Sequence, residues 1–214
     1  MKVILLLSPK LSFPRESFRD LKNFFDYNDT LKKVDIKNEN IIDLNLDEIE
    51  FNDCNLLNLK FIDCNLEKIY LLNTILENCD LSNTDFSKST IKRVLFKNCK
   101  LANANFETSS FENVTFIDCN LKNTYLDNCI FNNILSSNTT FANSSITSCK
   151  MKNIDISNCD FSYCNLSYTS LNGIDFSTCN ITGITLFPND IKGAILNDIQ
   201  ALEFIKLLGI VIKK

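Results

Sequence analysis

The chain contains no histidine and no tryptophan, and only four glycines and three prolines in 214 residues. Without histidine it lacks the commonest general base and metal ligand, which counts against most hydrolytic and metalloenzyme functions. No apolar run approaches the ~18 residues that a membrane-spanning helix needs. The opening stretch Val3 to Leu7 is too short for the core of a signal peptide, and Phe13-Pro14-Arg15 is no cleavage site. A soluble, cytoplasmic protein is expected. Excess charge is also scarce: 22 Lys and Arg against 26 Asp and Glu leave −4. That balance argues against direct binding to nucleic acid or to a membrane. No nucleophile–base pair, phosphate-cradling glycine loop or metal cluster stands out. No catalytic residue, metal or cofactor is therefore expected.

What is present is a period of five. Stepping by five from Ile36 meets Ile41, Leu46, Phe51, Leu56, Phe61 and Leu66, and the phase holds to Leu196 with Ser136 as the single exception. Neither a helical period of 3.6 nor a strand period of 2 produces this. A second inward position lies two residues before each centre. All ten cysteines fall there: Cys54, Cys64, Cys79, Cys99, Cys119, Cys129, Cys149, Cys159, Cys164 and Cys179. A position that accepts ten of ten cysteines wants a small, buried, weakly polar side chain. The thiols are expected to be structural and reduced: spacings such as Cys54 to Cys64 and Cys159 to Cys164 put them on different walls, and the stacked Cys79, Cys99 and Cys119 lie in a packed, anhydrous interior. Two residues after each centre the chain is rich in Asn, as at Asn73, Asn78, Asn83, Asn98 and Asn103. Asn tolerates turn conformations, so this position should be a corner.

The units Cys64-Asn65-Leu66, Ala104-Asn105-Phe106, Cys159-Asp160-Phe161 and Cys164-Asn165-Leu166 resemble those of the pentapeptide-repeat family. In that family four pentapeptides make one square coil. The resemblance implies an all-β fold, a right-handed quadrilateral parallel β-helix. The columns agree: Cys79, Cys99, Cys119, Thr139, Cys159 and Cys179 recur at a lag of twenty, as do Val94, Val114, Ile134, Ile154 and Ile174. At the inter-strand spacing of ~4.8 Å, seven to eight coils make a rod ~36 Å long. The expected organisation is an N-terminal cap over 1–33, the β-helix over 34–191 and a C-terminal cap over 192–214. In the N-terminal cap, Val3 to Leu7 is expected as a strand over the first coil and Pro14 to Phe25 as an amphipathic helix. Ser136 leaves two alternatives: a gap in the core, or a bulge that turns Leu135 inward.

Pro188 to Ile195, with Gln200-Ala201-Leu202 and Leu207-Leu208-Gly209, resembles the tail of quinolone-resistance pentapeptide proteins, the Qnr group and its chromosomal relatives. That likeness implies a tail-to-tail homodimer. Leu202, Ile205 and Leu208 recur at helical spacing, and Phe204, Leu207, Ile210 and Ile212 add apolar surface for such a contact.

Charge is also arranged in columns. Asp47, Glu67, Ser87, Glu107 and Asp127 share one outward column, Asp85 lies on the same wall, and Asp43 and Asp63 flank it at a corner. Lys68 and Lys88 dilute it at the next corner. The opposite wall carries Leu57, Ile75, Leu95, Ile117 and Leu135 outward. In the resembling quinolone-resistance proteins an acidic rod imitates duplex DNA and binds DNA gyrase or topoisomerase IV. This chain differs in its mild net charge, in Lys92, Arg93, Lys97 and Lys100 at mid-rod, and in having no loop insertion. The alternative is a scaffold for an unrelated protein partner, using the apolar wall.

Overall fold

The structure is a computed structural model and describes residues 6–17 and 29–207. It is a right-handed, four-sided parallel β-solenoid of about seven turns with little helix. Every strand pair within the rod joins residue i to residue i+20: Leu31 to Phe51, Ile91 to Phe111 and on to Phe131 and Met151, Phe96 to Phe116 and on to Ser136 and Ile156. Four strands, Thr90–Lys97, Ser110–Ile117, Ile130–Ser137 and Lys150–Ser157, run round a corner through two walls each. A slip of one residue would turn the whole buried set outward, which is why the register is fixed so firmly. Leu31 is buried and enters the stack one step before Ile36.

The corners explain the asparagines. Every fifth residue from Lys33 to Tyr168 has φ between +50° and +62°. Asn and Asp reach this left-handed region more readily than other side chains, and Gly173, Gly183 and Gly193 continue it without a Cβ. Asparagines one coil apart also bond each other: Asn58 Nδ2 donates to Asn38 Oδ1 at 2.8 Å, Asn78 to Asn58 at 3.1 Å and Asn98 to Asn78 at 3.2 Å.

Four walls result. The first is centred on Leu56, Leu76 and Phe96, the second on Phe61, Leu81 and Leu101, the third on Leu66, Phe86 and Phe106, and the fourth on Phe51, Leu71 and Ile91. Phenylalanines stack at the coil rise, with centroids 5.0 Å apart for Phe86–Phe106, 5.1 Å for Phe96–Phe116 and 4.9 Å for Phe141–Phe161. All ten cysteines are free and buried. Nine of the thiols donate to carbonyls of the preceding coil, as Cys129 does to Phe106 at 3.0 Å. Burial pushes Cys54 and Cys164 up to about 12 and Cys149 to about 11. Cys99 is raised by the Cys119 and Cys79 thiols on either side of it and by burial. Such thiols are poor nucleophiles.

Ser136 stays in register between Phe116 and Ile156, and Leu135 pairs with Thr115 and Asp155, so there is no bulge. The alternative holds instead. A cavity of about 50 Å³ lies beside Ser136, walled by Phe116, Phe131, Phe141, Met151, Ile154 and Phe161 among others.

The first coil is capped by Glu16–Ser17, which pairs in parallel with Val34 and Asp35. Of Val3 to Leu7, expected as a strand over that coil, Leu6 and Leu7 are described and are not strand. Val3, Ile4 and Leu5 fall outside the described residues, and the Leu7 amide donates to Asn113 Oδ1 at 3.3 Å, four coils up. The chain from 6 to 17 is a strap laid down the corner between the fourth and first walls. Corner side chains hold it because they offer main-chain-like bonds. Asn73 accepts from the Lys10 amide and donates to the Lys10 carbonyl, both at 2.8 Å. Arg15 closes the strap, with Nε on Asp35 at 2.7 Å, Nη1 on Asp53 at 3.0 Å and Nη2 on the Val34 carbonyl at 2.7 Å. Of the helix expected over Pro14 to Phe25, Glu16 and Ser17 are strand and residues 18–25 lie outside the described set.

At the other end a helix, α1, spans Asp198–Leu207. Asn197 and Gln200 cap it reciprocally: Gln200 N donates to Asn197 Oδ1 at 3.0 Å and Asn197 N to Gln200 Oε1 at 2.9 Å. The buried Gln200 amide then donates to the carbonyls of Phe176 and Cys179 at 2.9 and 2.8 Å, closing the last coil. No helix among the described residues is long and apolar enough to cross a membrane.

Candidate interaction walls

The coil brings the seven expected acids together on one side. Asp47, Glu67, Glu107 and Asp127 point outward from the third wall, with Asp85 on the same wall. Asp43 and Asp63 stand exposed at the preceding corner. Asp47 to Asp127 spans four coil steps, ~19 Å at the strand spacing. Glu48, at the next corner, joins them and was missed in the sequence; its place in the Asn phase was the available signal. On this wall and its two corners eight carboxylates meet two lysines, a formal −6 in a chain whose total is −4. The remaining walls are together close to neutral.

The carboxylates are not equivalent. Lys88 Nζ lies 2.6 Å from Glu67 Oε1, and that hydrogen bond and charge hold the Glu67 carboxyl below the ordinary value. Lys68 sits 3.4 Å from Glu48 and 3.9 Å from Asp47. Exposed pairs of this kind bind weakly, so a competing cation can displace them. Asp127 accepts from Ser145 Oγ at 2.6 Å and from the Thr147 amide at 2.9 Å. Asp85 accepts from the Ser87 amide at 2.8 Å. These bonds fix both carboxylates in place while leaving their charge. Glu107, Asp43, Asp47 and Asp63 are exposed.

The mid-rod cations belong to other walls. Lys97 pairs with Glu77 at 2.8 Å, Lys92 with Glu112 at 2.7 Å and Lys100 approaches Asp80 at 3.8 Å, each with an acid one coil away. They therefore neutralise their own columns and leave the third wall anionic.

On the first wall Leu57, Ile75, Leu95, Ile117 and Leu135 are half-buried, not open, and the strap runs down its edge. At the strap's anchor, burial alone would raise the Asp53 carboxyl. Hydrogen bonds from the Ser12 hydroxyl and amide, together with the Arg15 guanidinium, outweigh that and hold it below the ordinary value. In α1, Leu202 is exposed, Ile205 half-buried and Phe204 buried against the last coil. Phe204 thus serves as a plug for the open end and adds nothing to an outer face. The Leu207 side chain and Leu208, Ile210 and Ile212 lie outside what the structure describes.

Two family profiles match the chain. One, described as a pentapeptide repeat region, matches residues 58–124 and 89–159; the other, pentapeptide repeats (8 copies), matches 159–183. Together they cover more than half of the sequence. No curated protein matches it. Among solved structures, full-length QnrB1, a plasmid-mediated fluoroquinolone resistance protein, is 20% identical, covering 85% of this chain and 90% of its own, with a TM-score of 0.37. HetL, a pentapeptide repeat protein involved in heterocyst differentiation regulation in the cyanobacterium Nostoc sp., is 16% identical over 83% of this chain and 95% of its own, with a TM-score of 0.49. A pentapeptide repeat protein of the Arabidopsis thaliana thylakoid lumen is 22% identical over 59% and 74%, with a TM-score of 0.29. Likenesses at this identity speak to the fold alone, and the family rests on the repeat profiles and the uninterrupted five-residue phase. The chain belongs to the pentapeptide-repeat family.

Proposed function

We propose that this protein is a DNA-mimicking rod whose third wall binds the DNA-gripping surface of a type II topoisomerase, DNA gyrase or topoisomerase IV, and modulates it or protects it from quinolones. Pentapeptide-repeat proteins are generally non-enzymatic scaffolds, which suits a role through binding. The observation that carries the reading is the segregation of charge: −6 on one wall of a chain whose total is −4. Adjacent coils offer carboxylates at ~4.8 Å steps along a rigid axis. Duplex DNA carries one phosphate per ~3.4 Å on each strand, so a surface built for phosphates meets a comparable row of negative charge. A loop-free wall can lie flat on such a surface. The test is a gyrase supercoiling assay with and without ciprofloxacin. Dose-dependent inhibition or drug protection by the wild-type chain is expected, and no effect at micromolar concentration would contradict the proposal.

A further inference from the structure

The third wall changes character along its length. From the coil of Asp127 onward its acids give way to exposed rings: Tyr125, Tyr163, Tyr168 and Phe187 are 55%, 64%, 70% and 46% exposed. Tyr163 and Tyr168 occupy corners at φ +58° and +62°. Among the described corners they are the two aromatic residues, where Asn, Asp or another small or charged side chain is the rule. A bulky side chain in this region is strained, and such strain is retained where surrounding structure fixes it and function uses it. The fold does not need these rings, since they project outward from the core.

Both rings are propped. A Cβ at Gly183 would lie 2.7 Å from Tyr163 Cδ1 and Cε1, so this glycine makes room for the ring to lie against the next coil. The Tyr168 and Phe187 centroids are 4.8 Å apart, and the Asp190 carboxylate accepts from both of their amides at 3.0 and 2.9 Å. The two tyrosines bracket one width of the wall, with no lysine or arginine on that wall or its corners beyond Lys88.

We infer that this aromatic end is a cation-binding platform for an arginine-rich segment of a protein partner. Guanidinium groups stack on the tyrosine faces, and the same segment reaches the carboxylates toward Asp47. The charge complementarity is with a basic peptide, because the carboxylates on the same wall repel a polyanion. Preorganised rings lower the ordering cost of the contact, and a planar guanidinium stacks better than an ammonium. The inference rests on the third wall being the binding wall, and adds a site and a residue preference to it.

The test uses the full chain and labelled octa-arginine and octa-lysine peptides, followed by fluorescence anisotropy. Tyr163→Asn with Tyr168→Asn restores the usual corner residue, so the variant should melt no lower than wild type. Wild type is expected to prefer octa-arginine, and the double variant to bind it about tenfold more weakly and to lose the preference over octa-lysine. Unchanged octa-arginine affinity in the double variant would overturn the platform. So would tighter binding of a ten-thymidine strand than of octa-arginine. A second variant, Asp47, Glu67, Glu107 and Asp127 all to Lys, separates the two readings. If it alone loses binding, the acidic wall stands and the platform falls. If it keeps the arginine preference while the tyrosine variant loses it, the platform stands and the acidic wall falls.

Discussion

Replacing Ser136 with Leu should stabilise the rod, and the structure gives the size. The position is in register, buried, and belongs to a column otherwise filled by Leu76, Phe96, Phe116, Ile156 and Phe176. The adjoining void measures about 50 Å³. At ~24 cal/mol per Å³ of cavity, filling it recovers ~1.2 kcal/mol. Two added methyl groups at ~0.8 kcal/mol each give a similar ~1.6 kcal/mol. The hydroxyl that is lost receives only a 3.5 Å contact from the Cys159 thiol, which also reaches the Ser136 and Ser157 carbonyls. A net gain of about 1–2 kcal/mol follows, or roughly 2–8 °C in Tm for a chain of this length. Thermal melting by circular dichroism reads it directly. An unchanged or lower Tm would mean that the surrounding phenylalanines already fill the void in solution and that Leu overpacks it.

The strap should depend on Arg15: Arg15→Ala removes charged hydrogen bonds to Asp35 and Asp53 and should weaken docking by about 2 kcal/mol, seen as faster amide exchange over residues 6–17 with the coil unaffected. Because the folded Asp53 carboxyl is depressed, its contribution is complete above the unfolded value of 3.8 and fades as pH falls through the folded value, so the strap should loosen in acid before the core melts. Native thiol titration should find all ten cysteines slow, with full reaction only on denaturation; rapid native labelling of most would contradict the dry core. Sedimentation should show a dimer that a chain ending near Asn197 cannot form, through Leu202 and Ile205 with the segment that follows; a monomeric full chain at micromolar concentration would end that expectation.

The coil was legible in the sequence because its constraints repeat. Each centre must be apolar, each small position must fit inside, and each corner must accept positive φ, so the phase shows in Phe51, Cys54 and Asn58 alike. The lag of twenty between Cys79 and Cys99 is the same lag that pairs Leu76 with Phe96. The acidic column followed from the same arithmetic. The strap was not legible, since its partners Asp53, Asn73 and Asn113 are residue types found at most corners. Nothing in their identity marks them as receiving a second chain segment. The half-burial of Ile75 and Leu95, next to the strapped corner, was hidden for the same reason. Pairing of Lys97 with Glu77 and Lys92 with Glu112 was visible in principle at the lag of twenty. So were Tyr163 and Tyr168, aromatic in the Asn phase. Ser136 allowed a void or a bulge, and only the register of Leu135 decides between them.

The most direct test of the acidic wall is a gyrase pull-down with two outward variants and a salt series. In one, Asp47, Glu67, Glu107 and Asp127 become Lys; in the other, Leu57, Ile75, Leu95 and Leu135 become Ser. The wall acts as a set, since single exposed charges contribute little, and its attraction should fall steeply with ionic strength. The lysine variant is expected to stay folded and lose gyrase, while the serine variant retains it. Normal binding and inhibition by the lysine variant would contradict this, as would loss of the partner only in the serine variant, which would give the interface to the first wall.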